Sequence, residues 1–280
     1  MKHNKMTQKN ISKNPWLAGL IDGDGYFYNK NGYSGLEITV AYNESPLLTG
    51  IKQAYGGSIK NRCNSKSVRY RLHNQRGLTH LVHEINGYIR NSIRVNQFQS
   101  VLVALNVNFI PPYPFTYQNG YACGLFDSDG TVSLSVHQTE CVQNITGIKG
   151  KIARLENASK TQLSISVTQK YKPNVFFLTF ATGEKIFGSS TRLGISDFGS
   201  IYYDKSQNGY YKWSITSRKH IYIYLHYMSH FPSRNPAKTH RLRLIPIYYH
   251  LWDLKVYKSD VNSDLYKQWC VFAHDWFKYS

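Results

Sequence analysis

Two short stretches of this 280-residue chain carry carboxylates at a spacing that suits metal chemistry. Asp22-Gly23-Asp24-Gly25 ends the apolar run Leu17-Ala18-Gly19-Leu20-Ile21, and Asp127-Ser128-Asp129-Gly130 ends the run Ala122-Cys123-Gly124-Leu125-Phe126. A calcium loop of the EF-hand type needs glycine at its sixth position and a carboxylate at its twelfth. Phe27 and Tyr33 stand there in the first copy, and Val132 and Gln138 in the second. No phosphate-binding loop and no dinucleotide fingerprint occurs. Cys63, Cys123, Cys141 and Cys270 are scattered, and no histidine pairs with them at zinc spacing.

The elements that must hold these acids follow from the runs before them. Each run is apolar on nearly every face, so both helices should be buried. Gly19 and Gly124 leave room for another backbone, and the simplest burial places the two helices against each other across a pseudo-two-fold axis. Asp24 and Asp129 then meet where both helices present the negative ends of their dipoles, and that concentration of charge calls for cations. Asn14 and Pro15 mark a helix start as N-cap and first helical residue, and Asn119 occupies the matching place in the second half.

After each acidic pair the period changes to two. Leu36, Ile38 and Val40 alternate with Glu37, Thr39 and Ala41; Val132, Leu134 and Val136 alternate with Ser133, Ser135 and His137; Leu163, Ile165 and Val167 form a further inward face. Residues 46–55 read as a helix closed by Gly56-Gly57. Hairpins are expected over 58–72 and, around Asn208-Gly209, over 201–215. Residues 140–160 read as a long polar hairpin loop. Further helices are expected over 78–87, 96–106, 219–229 and 239–252. Near the C-terminus Leu265, Trp269, Phe272 and Trp276 make one helical packing stripe. Phe109-Ile110-Pro111-Pro112-Tyr113-Pro114 should be an extended linker.

The paired runs resemble the motifs of the LAGLIDADG homing endonucleases in their single-chain, double-motif form. The second copy departs at Ala122, Cys123, Phe126 and Ser128 and keeps Gly124, Asp127, Asp129 and Gly130. The resemblance implies an α+β chain of two pseudo-symmetric αββαββα domains, with saddle-like antiparallel sheets paired through the motif helices. The boundaries expected are a basic arm at 1–13, domains at 14–108 and 119–253, a linker at 109–118 and a helical extension at 254–280. It also implies a monomeric DNA endonuclease that breaks both strands of a long pseudo-palindromic site with magnesium; an RNA maturase acting on its host intron is the alternative. Asp24 and Asp129 would be the metal ligands, with Asp22 and Asp127 in support. Gln169 fits the polar position that family members carry before the middle helix, and Tyr42 stands at the aligned place in the first half. Arg94 and Lys238 fit the basic residue that approaches the phosphate from a later helix start.

Composition agrees with a polyanionic partner. The net charge is +18, with 14 basic against 5 acidic residues up to position 118 and 20 against 11 beyond it. Both halves are therefore equally basic, which favours nucleic acid over a membrane surface, as no strongly basic amphipathic helix stands out, and no apolar run is long enough to span a membrane. The wealth of Tyr, Asn, Lys and Ile fits AT-rich coding, hence an organelle, with the mitochondrion favoured over the chloroplast. Two antiparallel strands fit the major groove. By parity the outward, base-reading residues are Tyr26, Tyr28, Glu37, Thr39, Arg69 and Arg71 in the first half. In the second they are Ser133, Ser135, His137, Ser164, Ser166, Thr168, Lys212 and Ser214.

Overall fold

In a computed structural model, which describes residues 12–139, 145–179, 198–206 and 208–279, the chain forms two halves built on one plan. The first runs α1 (Pro15–Asp24), β1 (Gly25–Lys30), β2 (Tyr33–Ala41), α2 (Pro46–Tyr55), β3 (Ser58–Asn61), β4 (Ser67–Leu72), α3 (Gln75–Ile85) and α4 (Ser92–Ala104). The second runs α5 (Tyr121–Asp129), β5 (Gly130–Thr139), α6 (Gly147–Glu156), β6 (Ala158–Gln169), α7 (Pro173–Phe176), β7 (Ser200–Asp204), β8 (Tyr210–Ile215), α8 (Arg218–His230) and α9 (Pro236–Asp253), and α10 (Asp264–Trp276) follows. The sheets are antiparallel and ordered β1-β2-β4-β3 and β5-β6-β8-β7, the same topology twice. The chain is thus α+β with two pseudo-symmetric halves.

Local chemistry explains the boundaries. Asn14 caps α1 by accepting from Leu17 N (3.1 Å), with Pro15 next. Gly56 and Gly57 end α2 at φ 78° and 84°, a region open to glycine. In the second half the cap is Gly120; Asn119 sits one residue earlier and accepts from Tyr121 N. Residues 145–160 are not a loop. They hold α6 and the start of β6, because Leu155 finds a buried place beneath α10, where its carbonyl accepts from Trp269 Nε1 (3.0 Å). The polar stretch 140–144 lies outside the described residues, as do positions 1–11 of the expected arm and Gln207 of the expected turn. Trp269, Phe272 and Trp276 are buried as the stripe requires.

α1 and α5 pack backbone to backbone. A Cβ on Gly19 would lie 2.1 Å from the Tyr121 carbonyl oxygen, and one on Gly124 would lie 1.8 Å from that of Trp16. Neither overlap can relax by a rotamer change, since both partners are main chain. Gly124→Ala should therefore force the helices apart and destabilise the protein by about 2 kcal/mol or more. Gly50→Ala, at an exposed site on α2 with open space around the added carbon, should be neutral or stabilising by about 0.5–1 kcal/mol. Urea unfolding of the two variants beside the parent checks this, and equal midpoints would refute the close packing of the helices.

Candidate active site

The C-terminal ends of α1 and α5 lie together, and the acids sit there. A Cβ on Gly23 would fall 2.3 Å from Asp129 Oδ2 and 2.0 Å from Ser128 Oγ, so the Asp129 carboxylate rests on the bare backbone of the opposite helix. Burial, then the charge of Asp129, pushes Asp24 up to about 7 against the pull of Lys238 and Arg94. Burial pushes Asp129 up to about 6, with Lys238, Arg94 and hydrogen bonds from Gln169 and Ser128 acting in the other direction.

Asp22 and Asp127 are supports, as expected, and each binds across the interface. Asp22 accepts from the Tyr121 hydroxyl and from Arg90 N (2.7 Å); Asp127 accepts from Trp16 Nε1 (2.9 Å), Arg234 N (2.9 Å) and the Ser233 hydroxyl. The same two arginines stack on the same two aromatics. The Arg90 guanidinium carbon is 5.0 Å from the Tyr121 ring centre, and that of Arg234 is 3.8 Å from the Trp16 ring centre.

These contacts hold the starts of α4 and α9, which deliver the basic groups. Asn91 caps α4, with Arg94 in its first turn; Asn235 caps α9, with Lys238 in the matching place. Lys238 Nζ donates to the carbonyls of Phe126, Asp127 and Ser128 at 2.7–2.9 Å, and Arg94 Nη2 donates to the Gly23 carbonyl (3.4 Å). Each cation therefore offsets the negative end of a motif helix while standing next to its acids. The repeat Arg90-Asn91-x-x-Arg94 and Arg234-Asn235-x-x-Lys238 was a legible second signal beyond the two basic residues.

The caps also locate the polar position before the middle helix. Asn91 Nδ2 donates to the Asp22 carbonyl (2.9 Å) and to Gln169 Oε1 (3.2 Å), and Gln169 Nε2 donates to Asp129 Oδ2 (2.6 Å). On the other side Asn235 Nδ2 donates to the Asp127 carbonyl (3.4 Å) and to Glu44 Oε1 (2.6 Å). The counterpart of Gln169 is accordingly Glu44 and not Tyr42, which is 62% exposed. The strand alignment failed because β2 ends at Ala41 and a 3-10 turn, Tyr42–Glu44, carries the chain inward before α2, whereas Gln169 is the last residue of its strand.

Comparisons with known proteins bear on the family and the fold. Residues 17–104 fit the family model described as LAGLIDADG endonuclease. The chain is 39% identical over 268 residues to the intron-encoded RNA maturase bI4 of Saccharomyces cerevisiae, covering 95% of this chain and 37% of that protein. It is 40% identical over 280 residues to the probable intron-encoded endonuclease aI2 of Debaryomyces hansenii, covering 99% and 39%. The chain thus spans well under half the length of both relatives. The LAGLIDADG meganuclease I-AabMI, solved bound to uncleaved DNA, superposes with a TM-score of 0.60 at 14% identity, over 92% of this chain and 98% of that one. The chain belongs to the LAGLIDADG endonuclease family.

In this LAGLIDADG chain the outward sheet faces carry most of the expected reading residues. Tyr26, Glu37 and Arg71 share one cross-strand row, and Thr39 pairs with Arg69. Glu37 is bonded to both Arg69 (3.0 Å) and Arg71 (2.8 Å), so the three act as one unit. The Tyr28 hydroxyl is tied to His73. Ser133 and Ser164 bond to each other (2.8 Å), and Ser135, Thr168 and Lys212 lie on the outward face. His137 lies on β5, opposite Lys160. Ser166 and Ser214 are corrections. They pair on the two central strands and are buried, at 0% and 8% exposure, because side chains this short do not rise above the rows around them. Register adds Lys60 beside Arg69 and Tyr202 beside Lys212, from outer strands that parity alone left out.

The raised acids have a consequence for stability without any metal. Folded Asp24 and Asp129 keep their protons to higher pH than the unfolded chain, whose carboxyls titrate near 3.8. The folded state therefore binds more protons across this window, and stability falls as pH rises from about 4 to about 7. Asp22, also pushed up to about 6 by burial, adds to the effect. In chelator, Asp24→Asn with Asp129→Asn should flatten this decline and raise the melting temperature at pH 8. A parent melting temperature that does not change across the window would refute the paired, buried state of the acids.

Proposed function

We propose that this protein is a site-specific DNA endonuclease of the homing type, which hydrolyses one phosphodiester in each strand of a long pseudo-palindromic duplex. The observation that carries the proposal is the meeting of Asp24 and Asp129 between two outward-facing sheets, each acid with its own basic and polar neighbours. Both half-sites lie in one chain, so a monomer suffices. The catalytic set would be Asp24, Asp129, Gln169, Arg94 and Lys238, to which the geometry adds Glu44.

The residues present suit a hard divalent cation, for which we take magnesium. Asp24 and Asp129 would hold it. Two buried carboxyls that raise each other's energy gain from a cation between them, and hard cations take oxygen ligands. No cluster of three or more His, Cys, Asp or Glu occurs among the described residues, so the remaining ligands would be main chain, water and the DNA phosphates. When bound there, such an ion would supply charge neutralisation and make a water more acidic. Gln169 orients the Asp129 carboxylate, Lys238 and Arg94 offset the charge that grows on the attacked phosphate, and Glu44 can take a proton from the attacking water where Gln169 can only align one. The outward rows of Tyr26, Glu37, Arg71, Thr39 and Arg69, and of Ser133, Ser135, Ser164, Thr168 and Lys212, would read bases from the major groove, and the sequence adds His137 farther along β5.

The other reading, an RNA maturase that helps its host intron fold, is supported by the name of the Saccharomyces relative. The nuclease is favoured because a protein that only helps RNA fold has no use for an acid pair of this cost. The intron-encoded relatives and the AT-rich residue bias support an organellar origin, mitochondrial ahead of chloroplast.

Asp24→Asn or Asp129→Asn should abolish double-strand cleavage and leave DNA binding in place, since the groove contacts remain. Full linear product from both variants would refute the acid pair. The halves should also differ. On a supercoiled plasmid bearing the target, Gln169→Ala and Glu44→Gln should each slow one strand, opposite strands in the two cases, so that nicked circles accumulate. Tyr42→Phe should cut like the parent. Nicking by Tyr42→Phe and none by Glu44→Gln would restore the alignment that the geometry overturns.

A further inference from the structure

The two halves differ most where their first hairpins close. β1 and β2 turn at Asn31 and Gly32, with φ 50° and 82°, the tight connection natural to that pair. β5 and β6 are instead separated by a longer segment that includes α6. Among the contacts that fasten α6 to α10 are the bond from Trp269 to the Leu155 carbonyl and the pairing of His274 with Glu156 (3.4 Å). Lys151 and Arg154 on α6 take no part. Neither side chain makes a hydrogen bond or ion pair among the described residues.

Both line a cavity of about 420 Å³ bounded by β5, α6, α9 and α10, whose lining contains no carboxylate among the described residues. Arg241 of α9 is a third cation in the wall. Its Nη1 donates to the Val132 carbonyl (3.2 Å) on the edge strand, and its guanidinium carbon is 5.8 Å from the Trp276 ring centre. Lys151, Arg154 and Arg241 together give this wall a positive field that favours an anion. The cavity also reaches Ser133, which bonds to Ser164 on the outward face of the sheet, so the cluster continues the surface on which the duplex would lie.

We infer that this cavity receives backbone phosphates of duplex DNA where the duplex passes the edge of the second sheet. The inference rests on the endonuclease reading given above. The ligand is a phosphodiester, and its recognition is independent of sequence. Through α6 and α10 the second half gains an anchor that the first half lacks, and the protein's grip on its target is stronger on one flank. Arg241 shapes the wall, and Lys151 and Arg154 bind the phosphates.

The test begins with duplexes selected by the parent protein from a randomised library. Binding of the parent and of Lys151→Ala/Arg154→Ala is then followed by fluorescence anisotropy across a salt series. The double variant should bind several-fold more weakly, and its slope of log affinity against log salt should be shallower by about 2, one for each phosphate that is no longer neutralised. The difference should vanish on a duplex trimmed at the second-half flank, and Lys151→Arg/Arg154→Lys should bind like the parent. Equal affinity and slope for parent and double variant would overturn the inference, as would an equal weakening on full and trimmed duplexes, or a weakening confined to an intron RNA probe. If the parent selects no duplex at all, the endonuclease reading fails first and takes this site with it.

Discussion

The packing of α1 on α5 through Gly19 and Gly124 is the constraint on which the molecule depends. With main chain touching main chain, the helices cannot slide or roll without steric overlap, and interiors packed at crystal-like density transmit such restraint. The distance between the two helix ends is thereby set, and with it the crowding of Asp24 and Asp129. A looser pair of helices would let the acids separate and take up water, and their raised proton affinity would disappear.

A second layer of restraint crosses the same interface. Asp22 and Asp127 are buried acids, costly to bury alone, and each accepts from both halves: an aromatic donor from the opposite motif helix and a main-chain amide from the loop before its own half's last long helix; both bonds to Asp22 fall on Oδ2, and its Oδ1 has no partner among the described residues. Neither half could complete its own support. The loops so held place Asn91 and Asn235, and these two caps fix both the cations and the polar partners. The site is thus a chain of dependencies in which each residue is oriented by one farther from the chemistry.

The pseudo-symmetry is kept in sheet topology and relaxed in side chain. Arg94 faces Lys238, Gln169 faces Glu44, and Tyr121 faces Trp16, each pair alike in place and different in chemistry. A single chain is free to diverge in this way because each position is encoded separately, whereas a symmetric dimer must carry the same residue twice. The divergence extends to the periphery, where only the second half carries α6 under α10.

The fold was legible in the sequence wherever a periodicity repeats: two apolar helices ending in acids, two sets of alternating strands, and the aromatic stripe of α10. Gly19, Gly124, Asp24 and Asp129 could be singled out because the same types recur at the same offset, which local chemistry alone does not require. What the sequence could not show are relations between residues far apart along the chain. Glu44 was hidden behind Tyr42 because a 3-10 turn, and not strand parity, brings its carboxylate inward. Ser166 and Ser214 match the outward alternation, yet height above neighbouring rows decides accessibility, and that depends on side chains from other strands. The helix α6 was concealed in a polar stretch because the surface that buries Leu155 belongs to α10, more than a hundred residues later. Alternation and composition are local properties and can be read in order; burial, pairing and charge crowding depend on distance in space, which only the folded chain defines.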